Sequence, residues 1–290
     1  MTARQRSGTQ VLVERRRRHT FYFLEYAQAQ RPVHLDTEVD MTRVTAHRAG
    51  ARDAGRRFSI VSYLLHSAGR ALEKHPEANA VTLPSWPSHW RAPRTARFDG
   101  VTAKLALDRI VDGERTVLSA LLPDLQRTSL LEIQRRLDRY RDADLSEHPE
   151  FRGPRLLGRL PVPLGRLLFR AALRRPDRRP GIFGTVSVSS LGHRPVDGFH
   201  STGGTAVTLC LGQVRDQPVV RAGVVTVAPV MRLSLTFDHR VIDGGTAADL
   251  LGEIKQSMEA FDDEGDDARS VVRTTDQDLG AERTVVAGKP

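Results

Sequence analysis

The chain has 290 residues, 39% of them hydrophobic, which suffices for a sizeable core in one large domain or two small ones. Its single cysteine, Cys210, excludes an internal disulfide and a cysteine-based metal cluster, and no stretch approaches the roughly eighteen consecutive apolar residues of a membrane-spanning helix. The formal charge of +9 would suit nucleic acid, but no nucleic-acid motif is present and few aromatics interleave with the arginines, so nucleic-acid binding is not expected. The N-terminus lacks the apolar core of a secretory signal, which makes a cytoplasmic location the expectation.

Residues 1–14 are polar and read as a flexible lead. The run Arg15-Arg16-Arg17-Arg18 opens a helix through Phe21, Phe23, Leu24 and Ala27 that ends before Pro32. From Val33 to Val44 the residues alternate as in a strand, with Asp40 or Thr42 able to cap a turn. Apolar positions 60, 61, 64, 65, 68, 71 and 72 then form one helical stripe that closes at His75-Pro76; His66 within it reads as core or surface rather than catalytic. Residues 83–94 hold three prolines and both tryptophans, Trp86 and Trp90, and read as a loop with aromatic anchors. Strands from Val101 and from Val117 flank the turn signal Asp112-Gly113. An amphipathic helix over Ser129–Arg141 turns Leu130, Leu131, Ile133 and Leu137 inward.

Phe151–Arg179 has nine arginines interspersed with leucines, and a single acid, Asp177. Pro161 and Pro163 break it into one or two short helices. Such a segment either packs on its own domain or trimer with arginine stems reaching outward, or lies on an anionic membrane surface or a partner's groove. Packing is the favoured reading.

Gly184–Gly192 returns to strand alternation and includes Ser189; Val207–Gly212 places Cys210 in a buried strand rather than as a nucleophile. A further short strand ending at Val227 leads through Pro229 to the stretch that carries the chemistry. Leu233, Leu235 and Phe237 alternate with Ser234, Thr236 and Asp238, and Ala247, Leu250, Leu251, Ile254 and Met258 follow at helical spacing. His239 sits in the strand-to-helix turn between them, where a rigid strand end restricts its freedom. An imidazole is substantially neutral near physiological pH and can accept a proton. The tail over 263–290 is acidic, then polar, and reads as disordered.

The string Asp238-His239-Arg240-Val241-Ile242-Asp243-Gly244 resembles the D-H-R-x-x-D-G signature of the acyltransferase component of 2-oxo acid dehydrogenase complexes, a family that shares its catalytic fold with chloramphenicol acetyltransferase. Gly184–Gly192 is similar to the family's G-T-x-T-I-S-x-L-G strand, and weaker likenesses occur at Thr37–Thr42 and His75–Ala80. The resemblance implies an α/β (α+β) fold: a chloramphenicol acetyltransferase-like mixed β-sheet with flanking helices, assembled as a trimer. It implies a catalytic domain over 15–262, with 151–180 as a basic insertion. It further implies CoA-dependent acyl transfer between a thioester, of coenzyme A or dihydrolipoamide, and an acceptor. His239 would be the general base and Ser189, from the neighbouring subunit, the oxyanion stabiliser. Asp243 would hold the turn by a salt bridge to one of Arg16, Arg17 or Arg18. No metal is implied, and no residue is assigned to binding coenzyme A. The chain begins at the catalytic pattern, so the acyl donor or acceptor is expected to be either a lipoyl arm on another protein, acting in trans, or a small molecule, as in chloramphenicol acetyltransferase, rather than a lipoyl group on this chain. The alternative is a non-catalytic trimeric scaffold, or a peripheral-membrane protein recruited through 151–179, that keeps the same fold.

Overall fold

The computed structural model describes residues 18–83, 92, 94–111, 114–142 and 152–262. The two tryptophans, the Asp112-Gly113 turn, Arg15 to Arg17 and both expected terminal extensions lie outside them. Strand alternation in the last third of the chain builds the centre of the molecule. β7 (Val207–Arg221) and β8 (Val224–Asp238) pair antiparallel, and β1 (Pro32–Asp40) adds to the far edge of β8. On the other side β6 (Val186–Ser190) lies parallel to both β7 and β4 (Ala103–Val111), and β5 (Glu114–Leu122) closes that edge antiparallel to β4. The result is the expected mixed sheet, six strands in the order β1-β8-β7-β6-β4-β5.

Alternation gives this sheet two unlike faces. One row, Leu35–Leu235–Leu209–Val188–Leu105–Ala120, crosses all six strands and belongs to the buried core. Helices α3 (Ile60–Lys74) and α8 (Gly244–Glu259) cover that face with Leu64, Leu65, Ala68 and Leu72, and with Leu250, Leu251, Ile254 and Met258. Each such leucine contributes roughly 1.5–3 kcal/mol by leaving water. The rows on the opposite face are polar: Asp36–Ser234–Cys210–Ser189, and His34–Thr236–Thr208–Ser187–Lys104. Ser234 Oγ donates to Asp36 Oδ1 at 2.5 Å, and His34 Nδ1 lies 2.9 Å from Thr236 Oγ1.

Several elements depart from the sequence reading: β7 runs past Gly212 to Arg221, and β8 continues unbroken through Pro229 in place of the expected separate short strand ending at Val227. The first strand stops at Asp40, whose carboxylate accepts from the Thr42 backbone N–H at 3.0 Å, and Thr42–Asp53 forms a helix, α2. Only Val44 and Ala51 of α2 are buried, so its arginines and histidine hid the helical period. Ala80–Leu83 (β2) and Arg94–Arg97 (β3) pair as a separate two-stranded sheet.

The expected helix before Pro32 is α1 (Arg18–Ala27), and that over 129–141 is α4 (Leu130–Asp142). The arginine-rich segment folds as α5 (Arg152–Arg159) and α6 (Val162–Leu173), broken at Pro161, and a short α7 (Pro180–Phe183) leads into β6. Helices α5 and α6 pack on α1. Gly165 makes the contact close: a Cβ there would fall 2.8 Å from the Tyr22 ring. Arg166 pairs with Glu25 across the same seam at 2.6 Å.

Candidate functional site

The last sheet pairing of β8 is Asp238 with Pro32, and His239 follows it directly. Its backbone N–H donates to the Arg31 carbonyl at 2.9 Å, so the turn is tied to the segment between α1 and β1. Gln30 secures that segment by donating from Nε2 to the Thr205 carbonyl at 2.8 Å. On its other side, buried Ile242 anchors the turn in the core.

Asp238 is the electrostatic pin of this turn. Its carboxylate is 3% exposed and accepts from the Arg31 and Arg240 backbone N–H groups, both at 3.2 Å, and from Arg240 Nε at 2.9 Å and Nη2 at 2.5 Å. Burial pushes this carboxyl up, but the Arg240 guanidinium and the two backbone donors together outweigh it and hold it below the ordinary carboxylate value. Hydrogen bonding to Asp238 in turn raises Arg240. Neither residue stood out in the sequence, although both flank His239 in the same seven-residue string.

The His239 side chain is 48% exposed, with Nδ1 3.5 Å from Asp243 Oδ1 and its ring 5.4 Å from that of Phe237. That separation is at the outer edge of hydrogen bonding. Asp243 is the residue before α8, makes no side-chain cap to that helix and is 89% exposed. Of the three arginines expected to pair with it only Arg18 is among the described residues, and Arg18 donates instead to the Leu160 carbonyl of the insertion at 3.4 Å. Among the described residues, the Asp238–Arg240 salt bridge pins the turn.

Ser189 is half-buried on β6, in the polar row with Cys210, Ser234 and Asp36. Phe237, Val207 and Val186 share a row, so Ser189 stands three residues to one side of it and His239 two to the other. Five residues along a strand are about 17 Å, and two strand spacings add about 10 Å across. The chain brings His239 and Asp243 together, but it does not bring Ser189 to them.

Cys210 is buried, and burial, with the Asp36 charge, pushes its thiol up to about 12, as befits a strand position rather than a nucleophile. His66 is buried in α3, and desolvation followed by the Arg70 charge lowers it to about 3, so it is no general base near neutral pH. Lys104 was missed in the sequence. Its ammonium lies 3.7 Å from the centre of the Phe183 ring and donates to the Gly203 carbonyl, and burial followed by the Arg179 charge brings it down to about 7. Buried Arg179 donates to Tyr26 Oη at 2.5 Å and to the Gly204 carbonyl at 2.7 Å.

Residues 181–263 match the family model of the 2-oxoacid dehydrogenases acyltransferase (catalytic domain). Over 236 residues, 78% of this chain, the sequence is 26% identical to the dihydrolipoyllysine-residue acetyltransferase component of the pyruvate dehydrogenase complex of Bacillus subtilis. The alignment covers 44% of that protein, so the chain spans less than half the length of this relative. The fold is that of a probable dihydrolipoamide acetyltransferase from Listeria monocytogenes, with a TM-score of 0.63 and 16% identity over 89% of this chain and 97% of that one. The cubic core of a pyruvate dehydrogenase multienzyme complex gives a TM-score of 0.61 and 18% identity over 89% of this chain and 93% of that one. With the strand-end histidine, its buried aspartate and the mixed sheet all in place, residues 181–263 carry the catalytic-domain pattern of the 2-oxoacid dehydrogenase acyltransferases, on the fold of their cores.

Proposed function

We propose that this chain is an acyltransferase that moves an acyl group between a thioester, of coenzyme A or dihydrolipoamide, and an acceptor, with residues 15–262 as its catalytic domain. The observation that carries the reading is His239: an accessible imidazole on a strand end fixed by backbone bonds and by the ion pair of buried Asp238 with Arg240, inside the segment that matches the family. The named relative is an acetyltransferase acting on a dihydrolipoyllysine residue, and the proposed acyl carrier here is a lipoyl arm on another protein or coenzyme A itself.

In the proposed reaction the acceptor thiol gives its proton to His239 as its sulfur attacks the thioester carbonyl carbon. With Nδ1 turned toward Asp243, Nε2 is the nitrogen that takes it. The electron pair of the carbonyl becomes an oxyanion, to which the Ser189 hydroxyl donates. Collapse of the tetrahedral intermediate expels the original thiolate, which recovers the proton from His239. Because Ser189 and His239 lie apart within one chain, the complete site is assigned to the boundary between subunits of a closed trimer, His239 from one and Ser189 from the next.

His239→Ala is expected to lower acetyl transfer from acetyl-CoA to dihydrolipoamide by about a hundredfold or more while leaving the assembly intact. Ser189→Ala is expected to do likewise. Unfolding and reassembling the two variants together should then recover about a quarter of wild-type sites, since some boundaries pair an intact histidine with an intact serine. Turnover of His239→Ala within about threefold of wild type would exclude this mechanism, whereas no transfer by the wild-type chain would leave a scaffold role. Recovery no greater than the sum of the parents, with mixed assemblies confirmed by mass, would place the whole site within one chain.

A further inference from the structure

Helix α6 has a packed face and a bare one. Gly165 and Leu173 are buried, and the Phe169 ring lies 6.3 Å from that of Tyr26 and 6.4 Å from that of Phe183. On the outward side Leu164, Leu167 and Leu168 stand at helical spacing and are 42%, 64% and 44% exposed. Leu156 of α5 and Ile182 of α7 are exposed as well, and so are Phe21 and Leu24 of α1, the helix on which α6 packs. An amphipathic helix whose hydrophobic residues face water within its own fold marks an interaction surface.

The surrounding charge narrows what can cover it. Between residues 152 and 179 there are nine arginines and one acid, Asp177. Arg159, Arg166, Arg170, Arg174, Arg175 and Arg178 are exposed, so the charge runs from the end of α5 along α6 and is densest just beyond it. A second copy docked by the same face would set arginines against arginines in a chain of net charge +9. An acidic protein groove would need individual carboxylates matched along the same length. A continuous anionic plane meets dispersed arginines wherever they fall, and their long stems reach headgroups while neighbouring leucines sink below.

We propose that the outward face of α6, with its arginines, docks on an anionic lipid surface, the helix lying in the plane of the headgroups. Among the described residues no helix is long and apolar enough to cross a membrane, so the attachment is peripheral.

The test is sedimentation of the full chain with vesicles of phosphatidylcholine alone and of phosphatidylcholine mixed with phosphatidylglycerol. Partition onto the mixed vesicles is expected to be at least about tenfold greater at low salt, and raised salt should remove most of the difference. L167E/L168E should lower that partition by about tenfold or more, and R170E/R174E should do the same through charge alone. All four positions are exposed, so thermal melts should match wild type; should the leucine variant fail to fold, the arginine variant decides. Equal partition onto both vesicles, none onto either, or wild-type binding by the folded variants would overturn the proposal. So would a change in native mass with lipid binding unaltered, which would make the face a contact between copies.

Discussion

Asp238 lies at the end of β8 in a place where an uncompensated carboxylate is costly, and four N–H donor groups of Arg31 and Arg240 offset that cost. Asp238→Asn leaves Arg240 without its charge partner and should cost about 2–3 kcal/mol of stability at neutral pH. The pH dependence has a definite sign. Because the folded carboxyl is held below its ordinary value of 3.8, its stabilisation is fully present above about pH 4 and drains as the pH falls through the lower folded value. Urea melts at a series of pH values should therefore show the gap between wild type and Asp238→Asn closing only below about pH 4. At this scale the quoted string put Asp238, His239, Arg240 and Asp243 side by side, but did not show that Asp238 is buried and holds Arg240, since an aspartate and an arginine two residues apart look like solvated surface until burial is known. Lys104 was hidden for the same reason: only the sheet register sets it beside Ser187 and beneath Phe183.

Among the elements, β7 shows how a backbone contact fixes a strand. Its register with β8 shifts between Leu211 and Val214, and at Gly212 a Cβ would come 1.8 Å from the Asp197 carbonyl oxygen. The obstacle is backbone and cannot rotate away, so Gly212→Ala is expected to cost about 3 kcal/mol and to displace the loop over 191–198 that follows Ser189. Gly252 in the middle of α8 provides the contrast. Nothing lies within 4 Å of a Cβ there, so Gly252→Ala should stabilise the protein by about 0.5–1 kcal/mol in the same melts. The strand read over 207–212 stopped early because Pro218 and the polar residues before it look like a break. In the structure β6 ends opposite Leu211, and beyond that point β7 continues as one arm of a hairpin, where a proline's missing N–H costs little. Helix α2 escaped for a different reason: its contact with the core rests on Val44 and Ala51, too few residues to show a period.

For the molecule as a whole, the sequence disclosed the order of the layers more readily than their outer coverings. The apolar rows of β4 and β6 to β8 and the stripes of α3 and α8 have clean periods, and they meet in one core. What the sheet's polar face is for cannot be read from alternation, which shows only that it is polar. Val220, Val224, Val225 and Val227 on the projecting β7–β8 hairpin are each more than 60% exposed, an apolar arm on an otherwise basic chain. If neighbouring subunits complete the site, specific activity should fall on dilution in step with loss of the assembled mass. Sedimentation velocity and turnover measured over the same concentration series would check that; full activity in a confirmed monomer would contradict it.

The five-residue offset between Ser189 and His239 bears on the life of a newly made chain. A single copy carries the proposed base at the end of β8 and the proposed hydroxyl donor about 17 Å along the sheet from it on β6, with no oxyanion held between them. On the proposed mechanism such a copy is idle, and thioesters in its surroundings are safe from unproductive hydrolysis until partners close around them. Assembly then acts as the on-switch, and the spacing of two side chains on one β-sheet sets it without any separate inhibitor.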